Sequence, residues 1–392
     1  MKLAFVVQRY GPEIAGGSEA HCRALAHRLA DRHDITVLTS CASDYVTWRN
    51  TFPLGETRDQ AVRVMRFSVR QPRHLHAFAD LSDEVFDGTA PRDRQEAWFR
   101  ANGPDVPDLL DHLRQHGRSY DLVLFWTFRY SPSFFGVPIV KDHAVLVPTA
   151  EEDHAIDLDV LADYFTLPAG YLFLTPEEEA LVSSRAGRAL PPSAVIGMGL
   201  DPATRVGTSA LEANEVPSDY VLYLGRVDRN KGCQTLVDHF QAYTTAFASD
   251  DVTLVLAGPA KMRVPEHPRI KVLGYVSDDL RHALLAHARA LVVPSPYESL
   301  SIALLEGWNH GVPAIVNARC AVLDGQVRRA GGGLPYRSGE EFCEALGYFH
   351  THPTERRTLG EQGRAFVERE YRWPTVIDRV ERLLTEVVKL RS

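Results

Sequence analysis

The chain has 392 residues, 45% of them hydrophobic and 24% charged, with a formal net charge of -8. That length exceeds one ordinary core and predicts two domains of similar size, while the composition is that of a globular protein without an apolar run long enough to span a bilayer. The acidic balance argues against a general nucleic-acid binder, which needs a basic surface, and the five scattered cysteines have neither a disulfide framework nor zinc-type spacing.

In chain order, the amino terminus runs straight into a short apolar strand at 3–7 with no small-residue cleavage signal, which predicts a cytoplasmic protein. Gly11, Gly16 and Gly17 separate that strand from a helix at 18–32, giving a βαβ opening with strand 35–39. Further strands are expected at 62–67, 122–126, 144–147 and 171–174. The stretch 58–100 interleaves Arg63, Arg66, Arg70, Arg73, Arg92 and Arg94 with Phe67, Phe78, Phe86, Trp98 and Phe99. It reads first as a solvated, mobile insertion and second as an acceptor contact or a peripheral contact with the inner face of an anionic membrane.

Prolines and small polar residues near 190–192 and 201–218 mark the junction, so the expected domains are 1–195 and 196–372. The second half predicts strands at 220–224, 252–257, 270–273, 290–293 and 314–317, with helices at 233–247, 278–288 and 301–309. β-branched apolar runs alternating with amphipathic helices indicate an α/β fold with a doubly wound parallel sheet in each half. A last helix over 375–392 carries an apolar stripe from Val376 to Val388 and is expected to pack back on the first domain.

The most informative segment runs from Glu298 to Glu306, where an apolar strand turns into a helix. Such a turn offers unpaired N–H groups and a positive helix end to an anion, so two carboxylates there require a reason. Carboxylates accepting hydrogen bonds from sugar or ribose hydroxyls, beside a diphosphate held by the helix end, supply one. That combination describes a nucleotide sugar. Eight residues of helix would separate the two carboxylates by about 12 Å, which suits separate grips better than the pairing of a glycosidase at about 5 to 10 Å.

The loop from Gly225 to Gly232 also joins a strand to a helix. Arg226 offers a planar fork of donors and Lys231 a compact charge, suited together to a departing diphosphate. The turn at Gly16 and Gly17 can bring backbone N–H groups to phosphate, although its spacing is neither a dinucleotide fingerprint nor a P-loop. Asp157 and Asp159 form an Asp-x-Asp match of the kind that arises by chance, and no metal is called for.

Taken as a set, Gly16-Gly17, Gly225-Arg226 with Lys231-Gly232, Pro294-Ser295 leading to Glu298 and Glu306, and Gly311-Val312-Pro313 resemble the retaining glycosyltransferases of family 4. The amino-terminal stretches Val7 to Gly11 and Tyr45 to Trp48 are similar to a bacterial subgroup of that family. The resemblance implies the GT-B fold, two Rossmann-like domains facing a central cleft, with the acceptor mainly on the first and the donor on the second. It implies that Arg226 and Lys231 hold the donor diphosphate, Glu306 the ribose hydroxyls and Glu298 those of the transferred sugar. Backbone N–H groups of Ser299, Leu300 and Ser301 would complete the phosphate site, and Gly17 would reach it from the first domain. Base selectivity is expected to rest on loop backbone near Gly258 or Gly274-Tyr275.

Two departures stand out. The family commonly has Gly-Phe-Gly where this chain has Ser299-Leu300-Ser301, and the position usual for a histidine after Pro148-Thr149-Ala150 holds Glu151. Either His154 serves after a local shift, or a carboxylate takes over, or the chain is a poor catalyst. The implied function is a metal-independent, cofactor-free hexosyltransferase using a nucleoside diphosphate sugar and a sugar, lipid-linked or small-molecule acceptor. The alternatives are a catalytically silent sugar-nucleotide binding protein and a GT-B-fold nucleotide-sugar epimerase.

Overall fold

The computed structural model describes residues 1–14 and 16–391. The chain divides into two compact units, Met1–Gly199 with Trp373–Ser392, and Leu200–Arg372. Each is a doubly wound α/β domain of the Rossmann-like kind.

The first unit is built on an eight-stranded sheet of order β3-β4-β2-β1-β5-β6-β7-β8. Its strands are β1 (Lys2–Val6), β2 (Asp34–Ser40), β3 (Gly55–Asp59), β4 (Val62–Phe67), β5 (Leu122–Trp126), β6 (Ala144–Val147), β7 (Gly170–Phe173) and β8 (Ser193–Val195). Only β3 runs antiparallel, at the edge beside β4. The central strands β5, β6 and β7 are buried throughout, as expected for parallel strands covered by helices on both faces. The last helix, Trp373–Arg391, buries Val376, Val380, Leu384 and Val387 and lies against β7 and β8. A side chain on Gly170 of β7 would strike Val387.

The stretch 58–100 is folded, contrary to the mobile insertion expected from its arginines. After β4 come helices Leu75–Phe86 and Arg92–Asn102, and Trp98 and Phe99 are buried. Phe78, Phe86, Trp98 and Phe99 form the apolar faces of these helices, and Phe67 ends β4. Phe86 meets Trp98 edge-on at 5.2 Å and Phe99 stacks on Phe134 at 3.8 Å. Arg66 donates to the Tyr10 carbonyl at 2.9 Å, and Arg73 lies over both Trp48 and Phe78.

The second unit holds six parallel strands in the order β11-β10-β9-β12-β13-β14. These are β9 (Tyr220–Leu224), β10 (Thr253–Ala257), β11 (Ile270–Gly274), β12 (Ala290–Val293), β13 (Ala314–Asn317) and β14 (Gly333–Tyr336). Strand order reverses between β9 and β12, and open α/β sheets bind ligands outside the carboxyl ends of strands at such a reversal. In the first unit the corresponding reversal lies between β1 and β5. No helix among the described residues is long and apolar enough to cross a membrane.

Candidate functional site

The loop after β9 and the turn after β12 flank the reversal of the second sheet. The first contains Arg226 and Lys231, the second Glu298 and the start of the Ile302–Asn309 helix. Two glycines let these loops close on their neighbours. Gly232 has φ +75 and caps the Cys233–Ala246 helix, and a Cβ there would lie 2.3 Å from the Pro294 carbonyl oxygen. Gly258, after β10, has φ +139, and its Cβ would lie 1.9 Å from the Gly225 carbonyl oxygen. Neither a side chain nor its required backbone angle fits at these points.

Asp228 organises the charges of the first loop. Its carboxylate accepts from the Lys231 backbone N–H at 2.9 Å and forms an ion pair with the Arg226 guanidinium. Lys231 Nζ then donates to Glu298 Oε1 at 2.9 Å. Arg226, Asp228, Lys231 and Glu298 thus form one connected row across the reversal, of alternating sign. Tyr223 at the end of β9 steadies it by donating its hydroxyl to the Arg226 carbonyl at 2.7 Å. Burial, with the negative charges of Glu298 and Asp228 nearby, pushes that phenol well above its ordinary range, so it remains a donor at physiological pH.

The turn after β12 is held by two bonds. Ser295 Oγ donates to the Tyr297 carbonyl at 2.8 Å, and Asn317 of β13 donates to the Pro294 carbonyl at 3.1 Å. Ser301 is the N-cap of the following helix, its hydroxyl accepting from the Leu304 N–H at 3.3 Å. The helix therefore opens at Ile302, and its first N–H groups without intrahelical acceptors are those of Ile302 and Ala303, immediately after the Ser299–Ser301 stretch. For the same reason the helical spacing of about 12 Å between Glu298 and Glu306 does not apply, since Glu298 lies in the turn. Glu306 pairs with Arg281 of the Asp278–His287 helix, so the two carboxylates meet different cations.

In the first unit, Gly16 caps the Gly17–Leu29 helix after β1 without a side-chain bond. Beneath it, Arg9 and Glu19 form a buried ion pair at 2.6 Å, 7% and 5% exposed. A Cβ on Gly16 would lie 2.3 Å from the Glu19 carboxylate. Glu151 and His154 follow β6, at the carboxyl edge of the same sheet. Glu151 is half-buried; His154 is exposed and sets its ring 5.9 Å from Phe86.

Strain accumulates at this edge. Thr127 after β5 and Thr149 after β6 have φ +57 and +47, a left-handed conformation that branched side chains resist. Their loops are joined by bonds from Thr127 N–H to the Val147 carbonyl and from Phe128 N–H to the Pro148 carbonyl.

Three contributors escape a reading of the sequence by motif: Asp228, Arg281 and Glu178. Glu178 is fully buried and its carboxyl accepts from the Ala150 N–H at 2.7 Å and the Leu174 N–H at 2.6 Å. It fastens the Glu151 loop to the end of β7. Burial pushes it up to about 8, opposed by these backbone donors. Thr175-Pro176-Glu177-Glu178 has the Thr-x-x-Glu form of a capping box, and Thr175 does accept from the Glu178 N–H. That signal was available, although the carboxylate's long-range partner Ala150 was not.

Residues 218–350 match the family described as Glycosyl transferases group 1. The matched segment spans β9 to most of the Gly339–Thr351 helix and so contains the whole charged row. Over 353 residues the chain is 24% identical to the glycogen synthase of Mycobacterium tuberculosis, covering 83% of this chain and 81% of the relative. Among solved structures it resembles the sucrose-phosphate synthase of Thermosynechococcus elongatus, with a TM-score of 0.74, 18% identity and 99% of each chain covered. It also resembles Anabaena HepE, solved in complex with UDP and glucose, with a TM-score of 0.70 and 15% identity over 98% of this chain and 100% of that one. These structures share its fold of two Rossmann-like domains, the GT-B type.

Proposed function

We propose that this chain is a retaining hexosyltransferase that takes its sugar from a nucleoside diphosphate and gives it to a hydroxyl-bearing acceptor, without a metal or cofactor. The observation that carries the proposal is the row Arg226, Asp228, Lys231 and Glu298 at the strand-order reversal, beside the opening of the Ile302–Asn309 helix. Its support is the group 1 match over the same residues and the likeness to proteins named for sugar transfer.

An ammonium has three N–H donors and a carboxylate about four acceptor positions. Lys231 can therefore hold Glu298 and a phosphate oxygen together, and Glu298 can accept from sugar hydroxyls while paired. Arg226 and the N–H groups of Ile302 and Ala303 add donors where negative charge grows on the departing phosphate. The same departing oxygen takes the acceptor's proton during attack on the front face of an oxocarbenium-like centre, which leaves the anomeric configuration unchanged. Glu306, held by Arg281, is assigned to the ribose hydroxyls, and Gly258 to the neighbourhood of the base. On the first unit, Glu151 and His154 are assigned to the acceptor.

The test is a thermal-shift panel of nucleoside diphosphates and their sugars, followed by product analysis of any that bind. A binding donor raises the melting temperature by mass action, and Lys231→Ala is expected to weaken it about 10- to 100-fold, the worth of a charge-assisted bond of about 1.5 to 3 kcal/mol. NMR of the product reads the anomeric configuration directly. A chain that binds a nucleotide sugar tightly but transfers it to neither water nor any acceptor refutes the catalytic reading.

A further inference from the structure

The second unit has a crevice of about 300 Å³ at the edge of its sheet opposite the charged row. Its walls are the residues just before β9, β12 and β13, together with the start of the Pro353–Glu370 helix. All six strands are parallel, so this is their amino edge. The four residues of β12 place it about 13 Å from the Pro294 turn, at about 3.3 Å per residue. Nothing in the proposed transfer uses it.

Three arginines face the crevice: Arg289, Arg356 and Arg357. Arg289 is saturated by Asp219 and by the buried Asp250. Arg356 gives one N–H to the Phe349 carbonyl at 3.1 Å; burial and the charges of Arg289 and Arg357 hold its pKa below the usual guanidinium range, against the pull of Asp219 and Asp250. Arg357 is exposed and has no hydrogen-bond or ion-pair partner among the described residues.

The balance is three cations against two carboxylates, with the surplus on the side of Arg356 and Arg357. His310, on the same wall, is pushed down to about 4, first by burial and then by His282, Arg281, Arg364 and His287, all cationic when charged. The Pro353–Glu370 helix opens at this point with proline in its first turn, leaving the Thr354 and Glu355 N–H groups without intrahelical acceptors. The Glu355 side chain, in that turn, is exposed and is not among the lining residues.

We infer that this crevice is a second anion site, which takes one phosphoryl group, free or as a small monoester, between Arg356, Arg357 and the first turn of the Pro353–Glu370 helix. Two guanidinium groups and a helix end are the donors that phosphate recognition requires. The site does not depend on the transfer reaction proposed above.

Isothermal titration of the full chain with inorganic phosphate, and separately with methyl phosphate, tests it. Arg357→Glu reverses an exposed charge without touching the core, and Arg356→Gln is the second variant. Saturable binding is expected in the unaltered chain and in Lys231→Ala alike, weakened at least tenfold by Arg357→Glu and by Arg356→Gln. Tighter binding of methyl phosphate than of phosphate assigns the site to esters, and the reverse order assigns it to the free ion. Binding lost in Lys231→Ala but kept in Arg357→Glu places the anion on the row at the opposite edge and overturns the inference, as does the absence of saturable binding by either probe.

Discussion

His21 makes the stability of the first unit sensitive to acid in a calculable way. Its ring is buried between two fixed partners. Trp126 Nε1 can only donate, so His21 Nδ1 accepts from it at 3.0 Å. The other nitrogen, Nε2, must then carry the proton and donate to the Gly197 carbonyl at 2.9 Å. Protonating the ring costs the Trp126 bond its acceptor and buries a charge, and burial is the main reason its pKa falls from 6.5 to about 4, with the Gly197 bond opposing. The native pKa is depressed, so the unfolded chain takes the proton first. The stabilisation is complete above about pH 6.5 and is lost as the pH falls toward 4.

A difference of about 2.5 pKa units corresponds to about 3 kcal/mol. His21→Gln offers an amide oxygen to Trp126 and an amide N–H to Gly197 but does not titrate. Urea unfolding followed by tryptophan fluorescence reads the first unit, which holds Trp48, Trp98, Trp126 and Trp373. His33, His112 and His143 also have lowered pKa values through burial, so the informative quantity is the difference between the two proteins. Between pH 7 and pH 4 the unaltered chain is expected to lose about 3 kcal/mol more than His21→Gln. Parallel stability curves, or an NMR titration of His21 with a midpoint near 6.5, refute the reasoning.

Glu178 works in the opposite direction: with its pKa raised from 4.5 to about 8, stability falls as the pH rises through that window, by on the order of a few kcal/mol. Glu178→Gln removes that slope, and an unchanged pH dependence of unfolding counts against the assignment. Gly258→Ala drives a Cβ into the Gly225 carbonyl, a clash between backbones that cannot rotate away; calorimetry is expected to show a loss of about 2 kcal/mol or more, and an unaltered melting temperature contradicts the close approach. Arg281→Met leaves Glu306 without its cation. It is expected to weaken a nucleoside diphosphate several-fold while leaving inorganic pyrophosphate, which has no ribose, unaffected; equal loss for both removes Glu306 from the ribose.

Strands with a continuous apolar run are legible in the sequence. Val-Leu-Phe-Trp in β5 and Leu-Val-Val in β12 have no other plausible place than a covered parallel sheet. By contrast β3, Gly-Glu-Thr-Arg-Asp, is polar along its length and exposed over its first four residues; it exists because β4 offers it an edge, a tertiary cause with no local trace. Between 58 and 100, Phe78, Phe86, Trp98 and Phe99 mark helix faces turned to the core, while the arginines between them give the same stretch the composition of a solvated loop. At the candidate site the glycines and charges stand out in the sequence, but their pairings do not. Lys231 and Glu298 are 67 positions apart, and Arg281 and Glu306 are 25 apart. Which cation meets which carboxylate is fixed by strand order, and strand order is a property of the whole sheet.

The division of the chain also bears on its synthesis. The second unit is one uninterrupted stretch, Leu200–Arg372, whereas the first waits for Trp373 onward. On the ribosome the second unit therefore has its full sequence while the first still lacks the helix that covers β7 and β8, and the apolar surface meeting Val376, Val380 and Val387 stays open until that helix emerges. Deleting Trp373–Arg391 is therefore expected to leave that face of the first unit uncovered and prone to aggregation, while every residue of the second unit is retained.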